Sequence, residues 1–275
     1  MTAPAPLGWR DLALGSDPDL LRAELLHIIR ARISNHPRSK QQTIGPSELG
    51  GSCLRRLGFR LSGVVGRGAG SAAWRPTVGT AVHTWLAETF EVAGCVPATA
   101  DTGGWVERWA TERRVMVGTV AGAEVWGSCD LYDRVTATVV DWKIVGATTL
   151  KSVRSKGPSG LYRTQVNLYG RGFRNAGLPV ERVAAMFLPS SGELHEAVYW
   201  SEEYSEDVAT QALSRAEGLA LALKAAGPEI VIPALSTSEQ FCTGCPWFTV
   251  RARVDSSTEC PGHDAVARAI EGKGS

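Results

Sequence analysis

Leu21, Leu25, Ile28 and Ile29 recur at helical spacing behind Asp17 and Pro18, a good N-cap and first-turn pair, so the pattern predicts an opening helix to about Ile33. After a polar break, Gly45-Pro46-Ser47-Glu48-Leu49 starts a short helical segment carrying Cys53, Arg55 and Arg56, and the glycine-rich stretch 66–70 reads as a flexible link. A helix is predicted over 77–93, with Val82, Leu86 and Phe90 on its buried stripe and His83 at the edge of that stripe. Three strands follow, over 114–120, 124–133 and 136–144, the last rich in Val, Thr and Ile. Next come a Gly/Ser/Lys loop over 146–160 and a helix over 161–173 that Gly170 and Gly172 weaken. Two strands near 183–188 and 193–200 precede a long helix over 202–226, and from Glu239 onward little regular structure is expected. No internal repeat is present.

With 275 residues, 44% of them hydrophobic, the chain suits one large domain, alone or with a small appendage. Residues 1–11 hold no long apolar run and no stretch approaches membrane-span length, so a soluble cytoplasmic protein without membrane association is expected. The net charge of +1 decides nothing about partners, but its distribution does. Arg38, Lys40, Arg55, Arg56, Arg60, Arg67 and Arg75 face the single acid Glu48, and 143–174 holds cations with no acid at all. Two basic surfaces are therefore expected, with acids such as Glu202, Glu203, Glu206 and Asp207 gathered elsewhere.

The residues that carry chemistry are Asp130 and the run Asp141-Trp142-Lys143 on neighbouring strands. Alternation along a strand points Asp141 and Lys143 the same way and Trp142 behind them. A short connection over 133–136 makes the two strands an antiparallel pair, which brings the two carboxylates close enough to share a hard cation, Mg2+ or Mn2+, that relieves their repulsion. Such an ion binds a phosphate, acidifies a water and stabilises charge on a departing oxygen. Lys143 would orient the attacking water or offset transition-state charge, and His83 is a reasonable further ligand, imidazole suiting Mn2+ better than Mg2+. The segment 146–152 lacks the glycine before its lysine that a phosphate loop needs, so no ATP motor is encoded.

These motifs resemble the PD-(D/E)xK nuclease superfamily, in particular its RecB-like branch. Gly79 to His83, Gly127 to Asp130, Asp141 to Lys143 and Gln165 to Tyr169 match that branch's four motifs in its order. The resemblance implies an α/β fold with a restriction-endonuclease-like core, a central mixed β-sheet flanked by helices. It implies a metal site of His83, Asp130, Asp141 and the main-chain carbonyl of Ile144, a catalytic Lys143, and Gln165 and Tyr169 around the active site and DNA. Those last two lie one helical turn apart and can face one groove.

Cys242-Thr-Gly-Cys245-Pro246 is a tight ligand loop, and Cys260-Pro261 repeats a Cys-Pro step seen in iron-sulfur ligation, so a fourth ligand is needed. Cys95 and Cys129 read instead as small buried hydrophobes. The segment Ser47-Glu48-Leu49 through Cys53-Leu54-Arg55-Arg56 resembles the N-terminal cysteine motif of CRISPR-associated RecB-like exonucleases and related AddB-type nuclease domains. That resemblance implies a 4Fe-4S cluster on Cys53, Cys242, Cys245 and Cys260 that clips the helical ends together. A longer gap before Cys260 than in many members keeps zinc as the alternative.

On this reading, 1–45 is a helical extension, 46–76 the first cysteine segment, 77–238 the nuclease core and 239–275 the second cysteine segment with a tail. Arg56, Lys151, Arg154, Lys156 and Arg163 are candidate DNA contacts, with Trp74, Trp142 and Tyr162 as candidate stacking platforms. The resemblance implies an exonuclease on single-stranded DNA ends, serving recombination, end processing or CRISPR spacer acquisition alongside proteins of those processes. A structure-selective endonuclease and a catalytically inactive DNA-binding subunit are the alternatives.

Overall fold

The computed structural model describes residues 18–35, 44–66, 74–97, 104–238 and 242–271. Asp17, and with it half of the expected N-cap pair, lies outside them, as do Arg38, Lys40, Arg67 and most of the glycine link. The chain forms two units, residues 1–41 with 72–74 and residues 42–71 with 75–275. The first contains α1 (Pro18–Asn35), along which Leu21, Leu25, Ile28 and Ile29 are exposed. Among the described residues no helix is long and apolar enough to cross a membrane.

In the second unit the short α2 (Pro46–Leu49) and α3 (Leu54–Leu61) precede α4 (Trp74–Ala93), whose first residue falls in the other unit. A small antiparallel ribbon, β1 (Cys95–Pro97) with β2 (Trp105–Glu107), leads into β3 (Trp109–Val120), β4 (Ala123–Asp133) and β5 (Thr138–Val145). Two helices, α5 (Ala147–Lys156) and α6 (Gly160–Asn175), then cross to β6 (Arg182–Pro189). β7 (Val198–Glu203), α7 (Glu206–Ala226), α8 (Pro228–Ala234) and α9 (His263–Glu271) complete the order.

The five strands β3-β4-β5-β6-β7 lie in sequence order, antiparallel except for the parallel pair β5 and β6. A parallel pair needs a crossover, and α5 with α6 supply it. Leu131, Val140, Trp142 and Ala184 meet Leu86 of α4, with Val82 and Phe90 packed alongside. Tyr132, Val139 and Val183 belong to a separate core with Val166, Leu168 and Phe173 of α6 and Ala212 and Ala216 of α7. The result is the mixed α/β architecture expected from the sequence, a central mixed sheet flanked by helices.

Several expectations are corrected. The stretch 146–160 is mostly helix rather than a loop, because Leu150 and Val153, three positions apart, bury against Ala185 and Phe187 of β6. α6 runs through Gly170 and Gly172 to Asn175, past the expected end at 173. A Cβ on Gly170 would sit 2.6 Å from the Tyr204 ring and one on Gly172 2.6 Å from Val115, so the glycines let the helix lie close to its neighbours. Residues 193–197 are not strand, a single 3-10 turn at Leu194–Glu196 intervening before β7. The tail holds α9. Cys95 is exposed on the small ribbon rather than buried, whereas Cys129 is fully buried.

Candidate metal centre and cysteine cluster

β4 and β5 pair at Leu131 with Val140, Tyr132 with Val139 and Asp133 with Thr138. One step further the register would set Asp130 opposite Asp141, but there the ladder stops. Asp130 Oδ2 instead accepts the Trp142 N–H at 2.7 Å, so a side chain replaces the missing main-chain partner. Its other oxygen, Oδ1, faces His83 Nδ1 at 3.1 Å. His83 comes from α4, which Leu86 and Phe90 hold against the sheet, Phe90 stacking on Trp142 at 5.4 Å.

Asp141 is 2% exposed. Lys143 Nζ stands 2.5 Å from its Oδ2 and also donates to Gln165 Oε1 at 3.0 Å. Gln165 Nε2 bridges Asp141 Oδ1 at 3.3 Å and the Tyr169 hydroxyl at 3.2 Å. Burial raises the Asp141 carboxyl to about 6, Asp130 adding to the rise while Lys143 opposes it. His83 is pulled down by burial, but the hydrogen bond and charge of Asp130 outweigh this and leave its pKa raised. Tyr169 is pushed well up, first by burial and then by the Asp141 charge. His83 and Asp130 thus offer donor atoms side by side, a pair suited to Mn2+, whereas Asp141, held by Lys143 and Gln165, brings no oxygen within 4.8 Å of donor atoms on both.

Gly127 explains itself by packing, since a Cβ there would lie 2.6 Å from both Pro46 and the Tyr169 ring. Gly79, the matching position on α4, faces open space. Ile144 follows Lys143 on β5, opposite Leu188 of β6.

Glu112 was not among the candidates. Its carboxylate has an oxygen within 4.8 Å of a donor atom on each of His83 and Asp130. The sequence pattern began β3 at residue 114, since Thr111-Glu112-Arg113-Arg114 shows no apolar alternation, and Glu112 became visible only through the register with β4.

The expected basic contacts divide. Lys151 and Lys156 are exposed on α5. Arg154 donates to the Glu196 carbonyl at 2.8 Å, and Arg163 is held by Glu202 at 2.7 Å. Arg171 pairs with Glu206, so acids from β7 and α7 neutralise part of the acid-free stretch 143–174. Arg56 lines the cysteine cavity instead. Trp142 is buried and cannot stack on a base, and Tyr162 is half-buried beneath Lys143. Trp74 is exposed.

Cys53, Cys242, Cys245 and Cys260 are free thiols lining one cavity with Arg55, Arg56, Phe59 and Phe248. Burial raises the Cys242 and Cys245 thiols, the Arg56 charge opposing it at Cys245. The two cysteine segments are joined by packing. Phe59 stacks on Trp247 at 5.2 Å, Trp247 Nε1 donates to the Val64 carbonyl at 3.0 Å, and Arg55 donates to the carbonyls of Pro233 and Val254 at 2.5 and 3.0 Å. Four sulfurs around one cavity suit thiolate ligation of an iron-sulfur cluster, and would have to draw closer to hold zinc, since no three of these described residues have their sulfurs within 4.8 Å of one another.

No family model and no curated protein matches the chain. Among solved structures, the one titled SSO0001 aligns at a TM-score of 0.50 and 17% identity, over 86% of this chain and 98% of that one. The chain is similar to it in fold. An alkaline exonuclease (LHK-Exo) from Laribacter hongkongensis aligns at a TM-score of 0.35 and 12% identity, over 42% of this chain and 57% of the exonuclease. That overlap is too slight to define a common fold.

Proposed function

We propose that this chain is a metal-dependent DNA nuclease that hydrolyses phosphodiester bonds from free ends of single-stranded DNA, serving recombination, end processing or CRISPR spacer acquisition. The observation that carries the reading is the end of the β4–β5 ladder, where Asp130 Oδ2 accepts the Trp142 N–H at 2.7 Å and Lys143 Nζ stands 2.5 Å from Asp141 Oδ2. Asp130, Asp141, His83 and the Ile144 carbonyl would hold Mg2+ or Mn2+, which when bound polarises a water and neutralises charge on the phosphate.

The chain's own groups do the rest. Gln165 holds the Lys143 ammonium through its carbonyl oxygen and is itself fixed by Tyr169, so the cation is aimed rather than swinging free. From there the ammonium orients the attacking water or offsets charge developing on the phosphoryl oxygens. Lys151 and Lys156, exposed on α5, would track backbone phosphates and give affinity without sequence preference.

Cys53, Cys242, Cys245 and Cys260 would carry a 4Fe-4S cluster whose role is structural. Closing the long loop from Cys53 to Cys242 restricts the unfolded chain by an amount of at most about 5 kcal/mol, by analogy with disulfide loops. Iron and acid-labile sulfide in the purified protein support the cluster, and one zinc per chain with no iron overturns it in favour of a zinc clip.

The catalytic reading is tested on protein stripped with EDTA, then supplied with Mn2+ and given end-labelled linear and closed circular single-stranded DNA. Cation-dependent loss of the linear substrate with the circle intact is the expected result. Cutting of the circle makes the protein an endonuclease on the same scaffold. Binding without cutting of either substrate leaves only a DNA-binding subunit.

A further inference from the structure

Asp130 lies between two neighbours in the sheet. On the β5 side is Asp141. On the β3 side the pairs Thr111 with Leu131 and Arg113 with Cys129 place Glu112 directly opposite it. Glu112 drops out of the ladder although both of its neighbours are paired, and its backbone adopts φ +46°, a left-handed conformation that side-chain-bearing residues rarely take. Equal numbers of residues span the gap on both strands, so no bulge accounts for the departure.

We propose that Glu112 is a cation ligand, forming with His83 and Asp130 a divalent-cation position on the β3 side of the metal centre. The inference rests on the reading of that centre given above and extends its ligand set. Two observations support it. The oxygen of Asp130 not used by Trp142, Oδ1, is the one that faces His83 Nδ1, and their 3.1 Å separation is close to the roughly 3.0 Å edge between adjacent ligands around an ion with bonds of about 2.1 Å. An oxygen of Glu112 lies within 4.8 Å of both, against roughly 4.2 Å between opposite ligands of the same ion, so a shift of under an ångström completes the set. The Ser128 hydroxyl, 3.3 Å from Glu112 Oε2, would steady the carboxylate from behind, as hydrogen bonds to metal-binding carboxylates commonly do.

Glu112 is exposed and its replacement by Gln is nearly isosteric, so the fold should survive. The test is titration of metal-free protein with Mn2+ in the absence of DNA, free Mn2+ being read by electron paramagnetic resonance. Glu112→Gln is expected to weaken binding tenfold or more, with Asp130→Asn as the reference variant that loses it altogether. Wild-type affinity in Glu112→Gln beside loss in Asp130→Asn overturns the assignment of Glu112 while leaving the rest of the centre standing. Wild-type affinity in both overturns the centre and the inference together. Glu112→Gly provides a second arm, because glycine relieves the left-handed backbone. It should melt at a higher temperature than the metal-free wild type yet bind Mn2+ more weakly, and wild-type affinity in this variant also contradicts the proposal.

Discussion

Asp130 takes the Trp142 N–H at the point where the β4–β5 ladder ends, Oδ2 lying 2.7 Å from the amide nitrogen. The bond fixes a carboxylate to the backbone of the strand that carries Asp141 and Lys143, so the spacing of the three groups is set before any ion or substrate arrives. Asp130→Ala removes the acceptor and strands a buried amide, at a cost of about 1–3 kcal/mol. Asp130→Asn retains an acceptor oxygen and should lie within about 1 kcal/mol of the wild type. Denaturant melts of the two metal-free variants check the difference.

The raised Asp141 carboxyl gives the centre a pH signature. With its pKa moved from 3.8 to about 6, the folded protein holds a proton between those values that the unfolded chain has released. Stability of the metal-free protein should therefore fall as pH climbs from about 4 through about 6. A cation binds only the ionised form, so Mn2+ affinity should rise over the same window and further at higher pH, where His83, whose pKa Asp130 raises, loses its proton. Raising Mn2+ should shift the acid limb of cleavage to lower pH. A limb that stays in place across a wide range of Mn2+ would contradict this.

Two glycines that stand at matching motif positions should respond oppositely. Gly127→Ala forces a Cβ against Pro46 and Tyr169 and should destabilise by about 1–3 kcal/mol, loosening the ring that holds Gln165. Gly79→Ala sits in helix α4 with open space around it and should stabilise by about 0.5–1 kcal/mol. Thermal melts of the pair decide it.

Arg55 is 1% exposed and joins α3 to the carbonyls of Pro233 and Val254. Arg55→Leu leaves both carbonyls without their donor and should cost about 3 kcal/mol whether or not the cysteines carry a cluster. Cys245→Ala, by contrast, should remove bound iron and visible absorption and lower the melting temperature only of cluster-loaded protein. Metal analysis with paired melts separates the two effects.

The elements with clean periodicity were legible. The α4 stripe of Val82, Leu86 and Phe90 and the strands around Asp130 and Asp141 follow from alternation, and their connection is short enough to dictate a hairpin. What escaped was set by tertiary partners. The helix α5 looks polar because only Leu150 and Val153 face the sheet, and two apolar positions in ten residues make a weak signal. Arg163 and Arg171 looked like free cations because Glu202 and Glu206 reach them from a distant part of the chain. Glu112 could be found only once β3 and β4 were aligned residue by residue, since nothing in its own neighbourhood distinguishes it from a surface acid. The four cysteines form a spacing pattern and Arg55 stands within the first of their motifs, but Phe59 and Trp247, whose stacked rings join the two segments, carry none.

The central claim is tested most directly by the cleavage rate of end-labelled linear single-stranded DNA at one fixed Mn2+ concentration, measured for the wild type and for Asp141→Asn with matched circular dichroism spectra. The account predicts that the variant loses cleavage by a factor on the order of a thousand or more, since a ligand and the partner of Lys143 go together. Equal rates in the two proteins would contradict it.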